Sequence, residues 1–230
     1  MYLSCQKRKR KRMMNEKYHK IITVFKRDPE TKYRTLIEGE FAIPEFRYLE
    51  NNDWVWTEKV DGTNIRVMFD GKSIVFGGKS DRAQIPAPLV NKLNELFIPQ
   101  IDNFKKNFPD GVCLYGEGYG AKIQKGGGNY RTDQSFVLFD VRVGSWWLER
   151  ENVSDVGGKL GGIDTVPSVG VGNLWEMIEL VRNGFRSQWG DFRAEGIVAR
   201  PLVELIARNG DRIITKVKHK DFKLIEPKEN

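Results

Sequence analysis

The clearest pattern along the chain is a set of short apolar runs broken by glycine and polar clusters. KIITVF (20–25) reads as a first strand. WVWTEK and TNIRVMFD read as two strands flanking a tight turn at Asp61-Gly62, and SIVFGG as a further strand ending near Gly77. PAPLVNKLNELF (86–97) has helical spacing through Leu89, Leu93 and Leu96 and is opened by prolines. GVCLYGEGYG and SFVLFDVRVG are apolar runs of strand length, separated by QKGGGNYR, whose glycines 126–128 predict a mobile loop of the kind that closes over ligands. Residues 149–162 are polar and glycine-rich, with no element assigned. NLWEMIELVRNG predicts a surface helix capped by Asn173 and stopped at Gly184. EGIVARP is a strand, and LVELIA, the RNGDR turn with Asn209-Gly210, and RIITKVK predict a β-hairpin. With neither an internal repeat nor a linker, the pattern predicts an α+β fold: residues 15–230 as a single domain of twisted antiparallel sheets with flanking helices.

Composition narrows the class. A chain of 230 residues, 40% apolar, buries a substantial core. No apolar run approaches the roughly 20 residues that span a bilayer, and no apolar leader opens the chain, so the expectation is a cytoplasmic protein with no membrane partner. Cys5 and Cys113 form no metal-binding or disulfide pattern. The net charge of +7 suggests a polyanionic partner, but Lys7 to Arg12 are six consecutive bases, and without them +1 remains. Residues 1–14 are therefore expected to be a basic, disordered head, and net charge alone does not show nucleic-acid binding.

The candidate chemistry centres on EKVDGTN (58–64). A lysine at a strand end is held rigidly, and it attacks phosphorus only as the free amine, which nearby cations or burial would favour. Lys216 and Lys218, alternating on the last strand, would supply such cations and hold phosphate. Alone, a lysine before an Asp-Gly turn is a common surface pattern. His19 and His219 lack any partner pattern and are read as incidental; Trp146 and Trp147 are read as packing on the sheet rather than stacking on bases.

Six elements in order resemble the covalent nucleotidyltransferases, which comprise ATP-dependent DNA ligases, RNA ligases and mRNA capping enzymes: EKVDGTN, SDR (80–82), YGEGYG (115–120), FVLFDV (136–141), EGIVAR (195–200) and ITKVK (214–218). Asn64 and the GEGYGAKIQKGGGNY segment are more similar to the RNA-ligase branch, particularly the type 2 group and its small phage or bacterial relatives; Asp61 departs from the phage enzymes, which typically have histidine there. The resemblance implies a nucleotidyltransferase (ATP-grasp-like) ligase domain. It implies Lys59 as the nucleophile that takes up AMP, with Lys216 and Lys218 acting on the α-phosphate. It also implies ATP-binding roles for Glu58, Asn64, Arg82, Glu117, Phe139 and Glu195, a lesser one for Asp140, and a metal role for Glu195 with Mg2+ or Mn2+. Lys220 and Lys223 extend the basic stripe. The implied partners are RNA or DNA ends bearing a 5′-phosphate and a 3′-hydroxyl, inside a bacterial host if the chain is phage-encoded. Only 12 residues follow Lys218, so no appended OB domain is expected, and a separate end-binding protein becomes a candidate partner. A DNA nick ligase, a GTP-using capping guanylyltransferase and a non-catalytic RNA-binding or repair module are the other readings left open.

Overall fold

The structure, a computed structural model, describes residues 17–222; the basic head, Cys5 and Lys223 lie outside the described residues. Where the sequence shows no linker, the chain divides into two compact units whose segments interleave. A framing unit runs from His19 to Val60 and resumes at Pro167; an inserted unit comprises Asp61–Val166 and includes Tyr18.

The framing unit has strands β1 (Ile22–Thr23), β2 (Phe25–Arg27), β3 (Leu36–Phe41) and β4 (Trp54–Glu58), with helix α1 (Pro44–Tyr48) before β4. After the insertion come β10 (Ser168–Gly172), α5 (Leu174–Asn183), β11 (Gly196–Pro201) and β12 (Thr215–Lys218). The main sheet has the order β1-β12-β11-β4-β10, antiparallel except for the β1–β12 pair; β2 and β3 pair separately. α5 buries Leu174, Met177, Ile178 and Val181, the stripe expected of an amphipathic helix, against a core containing Trp54, Trp56, Ile197, Ala199 and Val217. Its capping box is complete, since Asn173 accepts from the Glu176 amide and Glu176 from the Asn173 amide, both at 2.9 Å.

The inserted unit has β5 (Thr63–Phe69), β6 (Ile74–Gly78), α2 (Ala87–Phe97), α3 (Ile101–Asn107), β7 (Val112–Gly120), β8 (Gln134–Val143), β9 (Trp146–Trp147) and α4 (Arg150–Lys159). Its antiparallel sheet runs β6-β5-β7-β8-β9. One face packs Ile65, Val67, Leu114, Phe136 and Val141 under Leu89, Leu93 and Phe97 of α2, Phe104 of α3 and Val153 and Val156 of α4. The other face carries the cross-strand rows Arg66–Tyr115–Asp140 and Cys113–Arg142–Trp147. Among the described residues no helix is long and apolar enough to cross a membrane.

The α+β class, the antiparallel sheets and both predicted helices stand, and four local expectations change. β4 and β5 lie in different sheets, so Asp61-Gly62 is a crossover and not a hairpin turn. Gly62 is needed for close approach instead: a Cβ there would lie 2.3 Å from the Gly118 carbonyl oxygen. The triple glycine includes a hydrogen-bonded 3-10 turn, Gly127–Asn129, where a Cβ on Gly127 would meet Gly120 O at 1.9 Å. Residues 150–159 are helical, with Val153, Val156 and Gly157 buried. LVELIA forms no strand: Leu202, Val203 and Ile206 are exposed, one bridge joins Ile206 to Arg212, and β12 pairs with β11 instead.

Candidate active site

Three strand ends of the framing unit meet at one point. Lys59 follows β4 directly, Glu195 precedes β11 and Lys218 closes β12; the pairings Glu58–Ile197 and Gly196–Lys218 bring these ends level. Backbone hydrogen bonds fix them, from the Lys59 amide to Gly196 O (2.9 Å) and from the His219 amide to Glu195 O (3.0 Å). Gly196 is obligatory here, because a Cβ would lie 2.1 Å from Val217 O.

On this frame the Glu195 carboxylate bridges two ammonium groups. Lys59 Nζ donates to Oε2 and Lys218 Nζ to Oε1, each at 2.6 Å, with side chains 19%, 11% and 20% exposed for Lys59, Glu195 and Lys218. Burial pushes the Glu195 carboxyl up, but Lys59 and Lys218 outweigh it and hold the group below the ordinary carboxylate range. Val217 faces the core, so by strand alternation Lys216 shares the opposite face with Lys218.

Glu58 behaves differently. It continues the alternation of Trp54 and Trp56 on the core face of β4 and is 1% exposed. Burial raises its pKa, while a Gln188 amide bond (2.8 Å) and a Ser187 hydroxyl bond (2.6 Å) act the other way. Trp189 N in turn donates to Ser187 Oγ at 3.1 Å. Ser187 and Gln188 carry no motif, so only the fold reveals them.

The remaining candidates lie in the inserted unit. Asn64 on β5 pairs in register with Glu117 on β7, and Asn64 Oδ1 is buried without a hydrogen-bond partner. Phe139 is the extra residue of a bulge, since Tyr115 pairs with Asp140 and Gly116 with Leu138; it stays half-buried and outside the apolar core. Its ring meets Tyr18 edge-on at 5.0 Å, and the Tyr18 hydroxyl donates to Asp140 Oδ2 at 2.8 Å. Arg82 is exposed, while its neighbour Asp81 pairs with the buried Arg66 at 2.8 Å. The glycine-rich loop engages the crossover: Tyr130 OH accepts from the Asp61 amide (3.2 Å) and Gln124 Nε2 donates to Gly62 O (2.9 Å). Trp147 packs on Tyr115 and under Arg142, as expected of a packing residue, whereas Trp146 is 76% exposed.

The family model for RNA ligase matches residues 52–218, from just before β4 to the last residue of β12. The chain belongs to the RNA ligase family. Solved structures of the Naegleria gruberi RNA ligase share the fold. A lysine-to-alanine variant with ATP and Mn is 19% identical with a TM-score of 0.61, over 78% of this chain and 54% of that one. An aspartate-to-alanine variant in the apo state is 15% identical with a TM-score of 0.63, over 92% and 60%. A lysine-to-methionine variant with AMP and Mn is 17% identical with a TM-score of 0.61, over 87% and 59%. This chain thus spans between 54% and 60% of the length of those ligases. No curated protein matches it in sequence.

For an RNA ligase family member the question of a metal follows. Among the described residues no group of three or more His, Cys, Asp or Glu side chains is placed to hold an ion, and both Glu195 oxygens are taken by lysines. The donor set does not make a resident cage. It fits a hard cation held mainly by phosphate oxygens and water, with at most one protein carboxylate.

Proposed function

We propose that the chain is an ATP-dependent RNA ligase that forms a covalent lysyl-AMP at Lys59, transfers the AMP to an RNA 5′-phosphate and joins that end to a 3′-hydroxyl. The observation that carries this reading is the Lys59–Glu195–Lys218 bridge, a buffered nucleophile beside a second cation. In the first step the Lys59 amine bonds to the α-phosphorus and the bond to pyrophosphate breaks, the electron pair leaving with pyrophosphate. A triphosphate offers Lys218 a competing anion and draws it from Glu195 Oε1. Glu195 holds the Lys59 amine in place across the 2.6 Å contact, and the amine attacks once its proton has passed to solvent. Lys216 and Lys218 then offset charge on the phosphates. Glu195, once it has released a lysine, would help to hold Mg2+ or Mn2+ together with the nucleotide's own oxygens, and the cation would supply further neutralisation. Next a 5′-phosphate oxygen displaces Lys59 from phosphorus, and finally a 3′-hydroxyl displaces AMP.

Glu58, Asn64, Arg82, Glu117 and Phe139 keep the nucleotide-binding roles that the resemblance implies, and residues 15–230 act as one catalytic domain. The unpartnered Asn64 Oδ1 and the bulged, half-buried Phe139 support this, since both are poorly explained by packing alone. On this reading the enzyme works in the cytoplasm, in a bacterial host if it is phage-encoded, with DNA ends or a separate end-binding protein as further partners to test. Incubation with Mg2+ and α-labelled ATP should label the wild type and add the mass of AMP, while Lys59→Ala stays unlabelled. Label from GTP alone would move the chain to the capping branch, and no label from either nucleotide in folded, AMP-free protein would remove the enzyme reading.

A further inference from the structure

His219–Phe222 form a 3-10 turn that begins one residue past the stretch matched by the family. Its bonds run back to the residues that carry the bridge. The His219 amide holds the Glu195 carbonyl. Asp221, with its side chain 3% exposed, accepts from the Lys218 amide at 3.1 Å through Oδ2 and from Arg27 Nη2 at 3.0 Å through Oδ1. The His219 ring lies between Val181 O in the last turn of α5, 2.9 Å from Nδ1, and Arg193 Nη1, 2.8 Å from Nε2. A guanidinium only donates and a carbonyl only accepts, so this pattern assigns the neutral tautomer with its proton on Nδ1. Arg193 stands two residues before Glu195, so the ring ties the approach to Glu195 and the exit from Lys218 to one helix end.

We propose that His219 and Asp221 are positioning residues that hold the backbone on both sides of the Glu195–Lys218 pair and so aim Lys218 during self-adenylylation. Two long, flexible side chains meet at 2.6 Å only if their backbones are fixed, because stem rotation gives each many other endpoints. An error of about 1 Å in such placement can reduce a rate about 100-fold. Asp221 is suited to positioning because a buried carboxylate is costly unless paired, and this one is satisfied by an arginine on β2 and by the amide of Lys218 itself. His219 therefore has a place in the site, although the sequence pattern marks it as incidental.

The inference rests on the ligase reading for its rate effect but not for its geometry, and the test separates the two. His219→Ala and Asp221→Ala, with His219→Asn and Asp221→Asn as conservative partners, are compared with wild type in the full chain. Lys59–AMP formation is measured at limiting and saturating ATP, per folded molecule from thermal unfolding. Acylation of Lys218 by a soluble amine-reactive ester is followed by peptide mass spectrometry without nucleotide. The alanine variants should lose about 10- to 100-fold in maximal rate with a far smaller change in KM for ATP, and should acylate Lys218 faster. His219→Asn, which can still donate to Val181 O and accept from Arg193, should recover most of both, and Asp221→Asn, which keeps one acceptor oxygen of two, only part. Unchanged rates per folded molecule together with unchanged Lys218 reactivity would overturn the proposal. If the alanine variants do not fold, Asp221→Asn decides by the same two readouts: a slower maximal rate with faster Lys218 acylation supports the clamp, and wild-type values for both overturn it. If wild type takes no label from ATP, the ligase reading falls, and Lys218 reactivity alone tests the clamp.

Discussion

Two carboxylates on neighbouring strands end in opposite electrostatic states, although they begin with nearly the same intrinsic acidity. Ammonium groups outweigh burial at Glu195, whereas at Glu58 burial outweighs two hydrogen bonds. Linkage turns this into a signed prediction. The stability contributed by Glu195 is present above the unfolded value, about 4.3, and is lost as pH falls through its lower folded value. That of Glu58 is present below the unfolded value and lost as pH rises through its higher folded value. Urea unfolding across pH should show wild type losing its advantage over Glu195→Gln in acid, and losing ground to Glu58→Gln as pH rises towards neutral. Parallel trends for the two variants would mean that the assigned causes are wrong. That Lys59, Glu195 and Lys218 stand at strand ends was legible in the sequence, and the resemblance drew the three together; the fold adds that their side chains meet. Ser187, Gln188 and Asp221 were not legible, since a serine, a backbone amide and an aspartate acquire meaning only from the partner the fold brings to them.

Legibility among the elements depended on contrast. α2 and α5 show a full apolar stripe with proline or asparagine at the start, whereas α4 hides its stripe among charges and Gly157-Gly158. Gly157 sits in that helix because a Cβ would meet Ile163 O at 2.5 Å, a packing cause that reads from sequence as a breaker. LVELIA failed for the converse reason: Leu202, Val203 and Ile206 are exposed on the arm linking β11 to β12 and only Leu205 and Ala207 pack against the core, so composition resembled a strand without the burial to make one. Strand spacing supplies the prediction at this scale. Gly196→Ala forces β11 and β12 apart and should destabilise the fold by about 1–3 kcal/mol, with a larger fractional loss of self-adenylylation than of stability. A stability loss with full activity per folded molecule would show that the site tolerates the shift.

The interleaving of the two units is the whole-molecule property that sequence concealed, because a linker signal presupposes that a domain is continuous. The framing unit pairs Thr57 with Ser168 and bonds the Glu58 amide to Pro167 O at 3.0 Å, so the insertion leaves and re-enters between neighbouring strands. With its own core and five-stranded sheet, residues 61–166 should fold when expressed alone and unfold cooperatively by circular dichroism. A non-cooperative melt would show that this core depends on the rest of the chain.

The parallel pairing of β1 with β12 bears on how the protein comes into being on the ribosome. Lys59 and Glu195 are 136 residues apart, and Thr215 bonds back across 193 residues to Ile22. The strand bearing Lys216 and Lys218 is synthesised long after Lys59 and must slot between β11 and a strand that has waited since the start of translation. Such distant closure is slow, and the early edge stays open to wrong pairing meanwhile. On the ligase reading, a chain truncated before β12 keeps Lys59 and Glu195 but lacks the Lys218 that shares the carboxylate, and should not take up AMP.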